Sequence, residues 1–439
     1  MTPEVKEKID QIRHGIVPEG YKKGKLGIVP AEWNEVPFST LFTTTNDYTD
    51  NLERYPLYSL TIEDGITAKT ERYERSHLVK RENSYKVVRP DDYAYNPMNI
   101  RFGAVARHKG SKPVAVSGYY DIFTTVNECD HVFMDSFLTC GPMITYYNKV
   151  SKGSLVEKQR VHFSNFLAFS LPLPPLGERI KIAEILSVQD KVIELEQQKI
   201  EEIIKEKRFF LEKMFPKKGE TEPEIRFNGF TDPWEQRKFD EMFDCTIPSN
   251  TLSRAELSYD EGTILNVHYG DVLIKYGAVL DVQKDEIPRI PQKSRDDFKG
   301  ALLQDGDVII ADTAEDETTG KACEVGNLQG SALVSGLHTM VCRPRSQMAP
   351  GFFGYYLNSG SYHRQLLPLM QGIKVLSLSR SNIQKTVVSY PAKVGEQQLI
   401  ADYFGHLDHL ITLHQRKLEE EKKKKKALMQ LLLTGIVRV

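Results

Sequence analysis

The sequence predicts an α+β protein in which two long antiparallel coiled-coil helices join two globular α/β domains, arranged as a pseudo-two-fold internal repeat. Three observations predict this fold: a duplicated segment, two long stretches without helix breakers, and two segments of similar length with mixed strand signals. At roughly 100–200 residues per domain, a chain of 439 residues has room for both domains and both helices.

The duplicated segment comprises residues 177–207 and 395–425, which align at a constant offset of 218 residues with 13 of 31 positions identical. The identical positions include Gly177/Gly395, Glu178/Glu396, Ile182/Ile400, Ala183/Ala401, Asp190/Asp408, Ile193/Ile411 and Lys207/Lys425. A repeat at a fixed offset predicts that one supersecondary unit occurs twice.

Both copies are predicted to form long helices. Residues 178–215 contain no glycine or proline, residues 396–434 contain only Gly405, and prolines precede each stretch, where a helix tolerates them. Apolar residues recur every seven positions, which is typical of a coiled-coil seam. The predicted helix-pairing core is Leu186, Ile193, Ile200 and Met214 with Phe404, Ile411, Leu418 and Leu432. Pairing of the two helices with each other is favoured; the alternative is that each packs on its own neighbouring domain.

The predicted organisation follows from these helices. It is an N-terminal helical or linker segment (1–29), a first globular domain (30–172), a first helical region (173–216), a linker (217–232), a second globular domain (233–391) and a second helical region (392–439). Each globular segment begins near a tryptophan, Trp33 or Trp234, with a phenylalanine five residues later. Between these marks the two segments differ from each other, as expected of inserts that recognise different targets. Two inert scaffolds could differ in the same way.

Positive charge is concentrated in both inserts, although the net charge is −2. Residues 69–112 hold eleven Lys/Arg against five Asp/Glu, and residues 343–385 hold six and no acidic residue. Basic stretches with interspersed tyrosines suit contacts to DNA phosphates and base edges, whereas the alternative is a solvated basic face. The candidate DNA-binding residues are Lys69, Arg72, Arg75, Arg101, Arg107, Lys109, Lys112, Arg343, Arg345, Arg364, Lys374 and Arg380.

Motifs for catalysis are missing, so no catalytic residue, cofactor or metal site is predicted. The nearest sequence to an adenine methyltransferase loop, Asn96-Pro97-Met98-Asn99, lacks the second proline and the aromatic residue. No phosphate-binding glycine loop occurs, and His406 and His409, spaced to grip a metal, are better explained by a solvated helix face. Scattered cysteines without C-x-x-C, no long apolar run and no signal peptide favour a cytoplasmic protein with reduced thiols.

The motif Pro174-Pro175-Leu176-Gly177-Glu178, followed by Ile182-Ala183 and repeated after residue 390, resembles the conserved regions of type I restriction-modification specificity subunits. The segment 305–310, Asp-Gly-Asp-Val-Ile-Ile, is similar to the same family. The family usually has Glu-Gln in this motif; the first copy departs from it with Arg179, while the second keeps Gln397.

The resemblance implies a non-catalytic DNA-binding subunit with two target recognition domains, each reading one half of a split site in double-stranded DNA. It further implies that the helices set the spacer and dock two methyltransferase (modification) subunits, which translocase-nuclease (restriction) subunits join. The alternatives are a coiled-coil structural scaffold that reads no DNA, and a self-contained DNA methyltransferase or nuclease, which the missing motifs disfavour.

Overall fold

The computed structural model describes residues 3–68, 84–127, 130–153 and 159–439. The chain forms two compact units. The first comprises Met1–Glu196 with Lys417–Val439, and the second is Gln197–Arg416. Each unit therefore combines one globular part with part of both long helices. No helix in the described ranges is both long and apolar enough to cross a membrane.

The first unit contains thirteen strands among its described residues: β1 (Tyr21–Gly24), β2 (Gly27–Pro30), β3 (Asn34–Pro37), β4 (Phe42–Thr44), β5 (Tyr48–Thr49), β6 (Tyr58–Thr61), β7 (Gly65–Ala68), β8 (Tyr85–Val88), β9 (Tyr93–Tyr95), β10 (Val105–Arg107), β11 (Val114–Ser117), β12 (Asp121–Thr125) and β13 (Ser170–Leu173). Its helices are α1 (Pro3–Arg13), α2 (His131–Phe137), α3 (Gly141–Val150), α4 (Phe163–Leu167) and the start of α5 (Leu176–Lys213). Its largest sheet has the order β10-β9-β12-β4, beside a sheet β11-β8-β5 and three two-stranded pairs, and all its strand pairings are antiparallel. The β1–β2 hairpin lies in a segment predicted to be only helix or linker.

The second unit contains strands β14 (Glu235–Lys238), β15 (Phe243–Asp244), β16 (Ile264–Val267), β17 (Val279–Asp281), β18 (Arg289–Ile290), β19 (Val308–Ala311), β20 (Thr313–Ala314), β21 (Ala322–Gly326), β22 (Ala332–Ser335), β23 (Thr339–Pro344), β24 (Leu376–Ser377) and β25 (Val387–Tyr390). Its helices are α6 (Phe239–Met242), α7 (Tyr269–Ile274), α8 (Phe352–Leu357), α9 (Gly360–Leu366), α10 (Arg380–Ile383) and most of α11 (Val394–Leu432). A five-stranded sheet, β15-β23-β19-β21-β17, carries the core, and β16/β22 and β17/β21 pair in parallel.

The predicted long helices are α5, of 38 residues, and α11, of 39 residues. Within each unit they run antiparallel to one another. In the first unit Lys425 Nζ lies 2.5 Å from Asp190 Oδ1, and in the second Lys207 Nζ lies 2.5 Å from Asp408 Oδ1. These pairs occupy the same two positions of the internal repeat, so the repeat reproduces a contact as well as a sequence.

The predicted seam is only partly enclosed. Five of its residues are buried: Leu186, Ile200, Met214, Phe404 and Leu432. Three are partly exposed, which corrects the expectation that the whole seam is buried: Ile193, Ile411 and Leu418. The buried residues belong to the aromatic cores of the globular parts, except Ile200. Two helices cover each other on one side only, so a seam residue beyond the reach of a globular core keeps access to solvent.

A buried carboxylate ties the first globular part to the start of α5. Trp33 donates its indole N–H to Glu178 Oε2 at 3.3 Å, and Arg438, which follows α11, approaches Glu178 Oε1 to 2.6 Å. Strand β3, which follows Trp33, pairs with β13, which precedes the helix. The polypeptide therefore enters and leaves this globular part beside the same carboxylate.

The second unit repeats this arrangement with Glu396 in the first turn of α11. Trp234 donates its indole N–H to Glu396 Oε1 at 3.2 Å, and Arg226 approaches the same oxygen to 2.7 Å. Strands β14 and β25 form the corresponding pair. The duplicated Gly-Glu motif is thus explained by a structural role, because the glutamate closes each globular part onto its helix.

A second buried carboxylate, Glu324 on β21, lies in the core of the second unit. It accepts hydrogen bonds from the backbone N–H groups of Gly351 at 2.6 Å and Gly354 at 2.9 Å, where α8 begins. Burial raises the pKa of Glu324 to about 7, and the backbone N–H groups only partly oppose that shift.

We predict that replacing Glu324→Gln changes the pH dependence of stability. Between the ordinary pKa of 4.5 and the folded-state pKa of about 7, folded Glu324 keeps a proton that the unfolded chain has released. The free energy of unfolding therefore falls as pH rises through this window. Glutamine stays neutral, so the Tm of the variant should improve relative to wild type from pH 5 to pH 8. The exposed change Glu315→Gln is the control, and a Tm difference independent of pH would contradict the prediction.

Candidate nucleic-acid interface

Arg107, a predicted DNA contact in the first unit, is engaged inside the protein. Its guanidinium binds both carboxylate oxygens of Asp135, at 2.8 Å to Oδ2 through Nη2 and 3.0 Å to Oδ1 through Nε, and it also pairs with Asp91. Burial is the largest single effect and works to lower the pKa of Arg107, but the hydrogen bonds and charges of Asp135, Tyr93 and Asp91 together outweigh it and raise the pKa. Tyr93 donates its hydroxyl to the same Asp135 carboxylate at 2.8 Å. Arg107 is therefore a structural cation rather than a free one.

The other described candidates in the basic stretch 69–112 differ in how far other groups of the protein contact them. Arg101 packs over the ring of Phe102 and donates to Gln159 at 3.3 Å. Lys109 is exposed, with its ammonium 3.6 Å from Asp135 Oδ2, and Lys112 is exposed. The candidates Lys69, Arg72 and Arg75 lie outside the described residues.

Three of the candidates in the second unit are held by neighbouring groups. Arg343 on β23 forms a two-pronged pair with Asp307, with both N–O distances 2.7 Å, and this hydrogen bonding raises the pKa of Arg343. Arg364 pairs with Glu212 on α5, and Arg345 donates to the carbonyl of Asp240 at 3.3 Å. The last two remain exposed, so they retain access to solvent.

Lys374 and Arg380 are exposed candidates that form neither a salt bridge nor a side-chain hydrogen bond within the described parts of the second unit. Lys374 lies in a loop closed by two backbone hydrogen bonds between Gln371 and Ser377, of 3.0 and 2.8 Å. At its tip the side chain of Ile373 is 100% exposed. Gly372 has φ +127°, and a side chain there would collide with the Val375 carbonyl, so the loop shape depends on glycine. The loop therefore presents a cation and an apolar group in a fixed conformation.

A cleft of about 520 Å³ lies beside this loop. Its lining combines apolar and aromatic groups with hydroxyl and acidic groups, among them Tyr269, Ile274, Thr313, Glu315 and Val375. Ile274, 89% exposed, lies on its rim. The basic composition of residues 343–385 did not indicate that α7 and residues 312–318 line this cleft, because a stretch of sequence does not show which distant segments it contacts. No group of three metal-ligating side chains occurs within the described ranges.

A second apolar stripe on the long helices was also missed. On α5, Ile185, Val188 and Leu195 are exposed, and on α11 Leu399 and Leu413 are exposed. Val188, Leu195 and Leu413 each lie two residues after a seam position, which at 3.6 residues per turn places them on a face about 160° from the seam. Leu195 and Leu413 are equivalent positions of the repeat. The signal was present in the sequence, but the stronger seam pattern concealed it.

Known proteins resemble the chain in this architecture. Residues 119–205, which span the end of the first globular part and most of α5, match the family model described as the type I restriction modification DNA specificity domain. The type I restriction enzyme MjaVIII specificity subunit of Methanocaldococcus jannaschii is 26% identical over 284 residues, or 62% of this chain. The alignment spans 63% of that relative, which is less than two thirds of its length.

Two solved structures share the fold. A chain from a study of complex assembly and conformational transition of the type I R-M system superposes with a TM-score of 0.53 at 15% identity, covering 93% of this chain and 99% of that one. The type I restriction-modification S subunit from M. genitalium gives a TM-score of 0.50 at 13% identity, covering 91% and 96%.

These comparisons confirm the resemblance to type I restriction-modification specificity subunits. They also confirm the mixed α/β content of the predicted fold. The matched family model describes a DNA specificity domain, and the curated relative is a specificity subunit. The continuous antiparallel coiled coil and the individual DNA contacts stay predictions.

We predict that Arg343→Ala destabilises the second unit, because it leaves the Asp307 carboxylate, 1% exposed, without its cation. The free energy of unfolding should fall by about 3 kcal/mol, the lower end for a broken buried pair, since Arg343 itself is partly exposed. Thermal or urea unfolding measures the change. Lys374→Ala is the control and should leave stability unaltered. Equal stability of the two variants would show that Arg343 is not structural.

Proposed function

We propose that this chain reads a two-part site in double-stranded DNA, with each globular part reading one half. The observation that carries the proposal is the duplicated frame: each unit closes onto its helix through the same Trp–Glu–Arg contact, while the inserts differ in strands and sheet order. Selection for one shared target would favour similar inserts. Two different inserts on one frame suit two different half-sites, as in a specificity subunit.

The DNA-facing part of the second unit is proposed to include the loop 371–377 and the start of α10. Lys374 and Arg380 are exposed and lack carboxylate partners in the described ranges, so both are available to phosphates. Arg343 lies outside this proposal, because its charge is satisfied by Asp307. Contacts from lysine and arginine to phosphates supply affinity and register, while base edges supply specificity.

We predict that Lys374→Ala combined with Arg380→Ala weakens DNA binding without loss of stability. Affinity should fall to a similar extent on all duplexes, and the slope of log K against log salt should decrease by about one for each lost phosphate contact. Fluorescence anisotropy of the full chain with the modification subunits and a labelled duplex measures both quantities. Lys299→Ala, at an exposed position of the same unit, is the control. An unchanged salt slope would exclude these two side chains from the interface.

The second apolar stripe is proposed as the docking surface for two modification (methyltransferase) subunits, with restriction (translocase-nuclease) subunits joining the assembly. Leu195 in the first unit and Leu413 in the second are exposed apolar groups at one matching position of the repeat, which suits two copies of one partner. Charged residues flank the stripe, as at many interfaces with an apolar centre.

We predict that Leu195→Asp and Leu413→Asp each remove one modification subunit from the complex. Both side chains are about half exposed, so the changes should leave Tm nearly unaltered, whereas an unpaired charge in an apolar interface costs several kcal/mol. Native mass spectrometry should give one bound copy for each single variant and none for the double variant. Lys423→Asp controls for charge. Two bound copies with the double variant would move the docking surface elsewhere.

We propose that the two long helices set the spacer between the half-sites as a continuous antiparallel pair. At ~1.5 Å per residue each helix is about 57–59 Å long, which exceeds one turn of DNA at ~34–36 Å. Because α5 and α11 each pass from one unit into the other, a change in helix length is expected to alter the spacer and leave each insert intact.

Two changes of the chain test the proposed function directly. Exchanging residues 30–172 for another family member's insert should change one half-site only. Inserting four residues after Glu202 lengthens α5 by ~6 Å and should widen the spacer by about one to two base pairs of ~3.4 Å each. Methylome sequencing reads the methylated motif before and after each change. An insertion that alters the bases read while keeping their spacing would refute the spacer role.

A further inference from the structure

Two buried cysteines lie side by side at the edge of the main sheet of the second unit. Cys245 follows β15 directly, and Cys342 lies on β23. Their sulfur atoms are 3.2 Å apart. Strand β15 is the edge strand of the five-stranded sheet and is only two residues long.

The strand register places the two residues opposite one another. Asp244 pairs with Arg343, so the next pair along the antiparallel ladder is Cys245 with Cys342. Arg345 N–H donates to the Met242 carbonyl at 2.8 Å, which makes 242/345 a hydrogen-bonded pair. Hydrogen-bonded and non-hydrogen-bonded pairs alternate in such a ladder, so Cys245/Cys342 is a non-hydrogen-bonded pair. Such pairs have Cα atoms ~4.5 Å apart, within the ~4.4–6.8 Å that a disulfide spans.

The two thiols differ in acidity. The hydrogen bond with Cys342 lowers the pKa of Cys245, and the nearby cations of Arg380 and Arg345 contribute in the same direction. Burial raises the pKa of Cys342 well above its ordinary value. Thiolate is the reactive form of cysteine, so Cys245 is suited to attack first and Cys342 to resolve the product.

We propose that Cys245 and Cys342 are a redox-active dithiol that a peroxide converts into an intramolecular disulfide. The Cys245 thiolate attacks one oxygen of hydrogen peroxide, the O–O bond breaks, and the departing hydroxide takes up the proton that the thiol had released, so that a sulfenic acid and one water form. The Cys342 sulfur then attacks the sulfenic sulfur, the S–O bond breaks, and a second water leaves. Overall two S–H bonds are lost, one S–S bond forms, and the two sulfurs supply the two electrons that reduce the peroxide.

The setting distinguishes this pair from the other described cysteines. Cys140 and Cys323 make no sulfur–sulfur contact within the described ranges, and burial raises the pKa of each to about 12. Access to the pair requires only local opening of a two-residue edge strand, rather than opening of the sheet interior. The crosslink would join β15 to the strand that carries Arg343, and would close a covalent loop of nearly one hundred residues.

Peroxide treatment of the folded full-length chain tests the proposal. After hydrogen peroxide, alkylation of free thiols and digestion without reductant, we expect one crosslinked peptide pair, Cys245 with Cys342, lighter than the reduced pair by two hydrogen atoms. The apparent Tm should rise by several degrees and return after dithiothreitol, because the crosslink restricts the unfolded chain.

Variants provide the controls. Cys245→Ser and Cys342→Ser should each abolish the crosslink and the Tm rise, and Cys323→Ser should retain both. The wild-type peptide map stands even where a variant folds poorly. Recovery of both cysteines as alkylated thiols or as sulfonic acids, or a crosslink that forms only in denaturant, would overturn the proposal.

Discussion

The buried carboxylate in the first turn of each long helix is the contact on which the architecture depends. Glu178 and Glu396 are 7% and 1% exposed, and each accepts an indole N–H and an arginine pair. A carboxylate at this end of a helix also faces the positive end of the helix dipole. One side chain thus orients the helix, the incoming strand and the segment that returns after the other helix. Removing it would leave a buried indole N–H, of Trp33 or Trp234, without its acceptor, which costs more than the contact itself contributes.

The parts of the fold that follow from periodicity could be predicted from the sequence. The helices α5 and α11 fall within the predicted helical regions. Trp33 and Trp234, which mark the start of each predicted globular segment, are both buried. Seven-residue spacing specifies which face of a helix is apolar, but it does not specify how far a globular core extends along that face. Ile193 therefore continues the pattern of Leu186 and is nevertheless partly exposed.

The candidate DNA-contacting residues were harder to predict, because a basic window records composition and not partners. Arg107 and Arg343 both fall in basic windows, yet their partners Asp135 and Asp307 lie 28 and 36 residues away in the chain. An arginine buried against a distant carboxylate cannot be told from a free arginine without the tertiary contacts. Lys374 is a candidate contact because the closed loop around it presents its exposed cation. The local sequence indicates that loop only through Gly372.

The positions of Arg226 and Arg438 in the sequence bear on how the chain evolved. Arg226 follows α5 and serves Glu396 on α11, while Arg438 follows α11 and serves Glu178 on α5. The segment after α5 therefore supplies an arginine to the globular part that leads into α11. The segment after α11 likewise supplies one to the globular part that leads into α5. If a gene encoded only half of this chain, two copies of its product would form both arginine–glutamate contacts by pairing with each other. Tandem duplication and fusion of such a gene accounts for a constant repeat offset, and it frees each insert to accumulate substitutions independently.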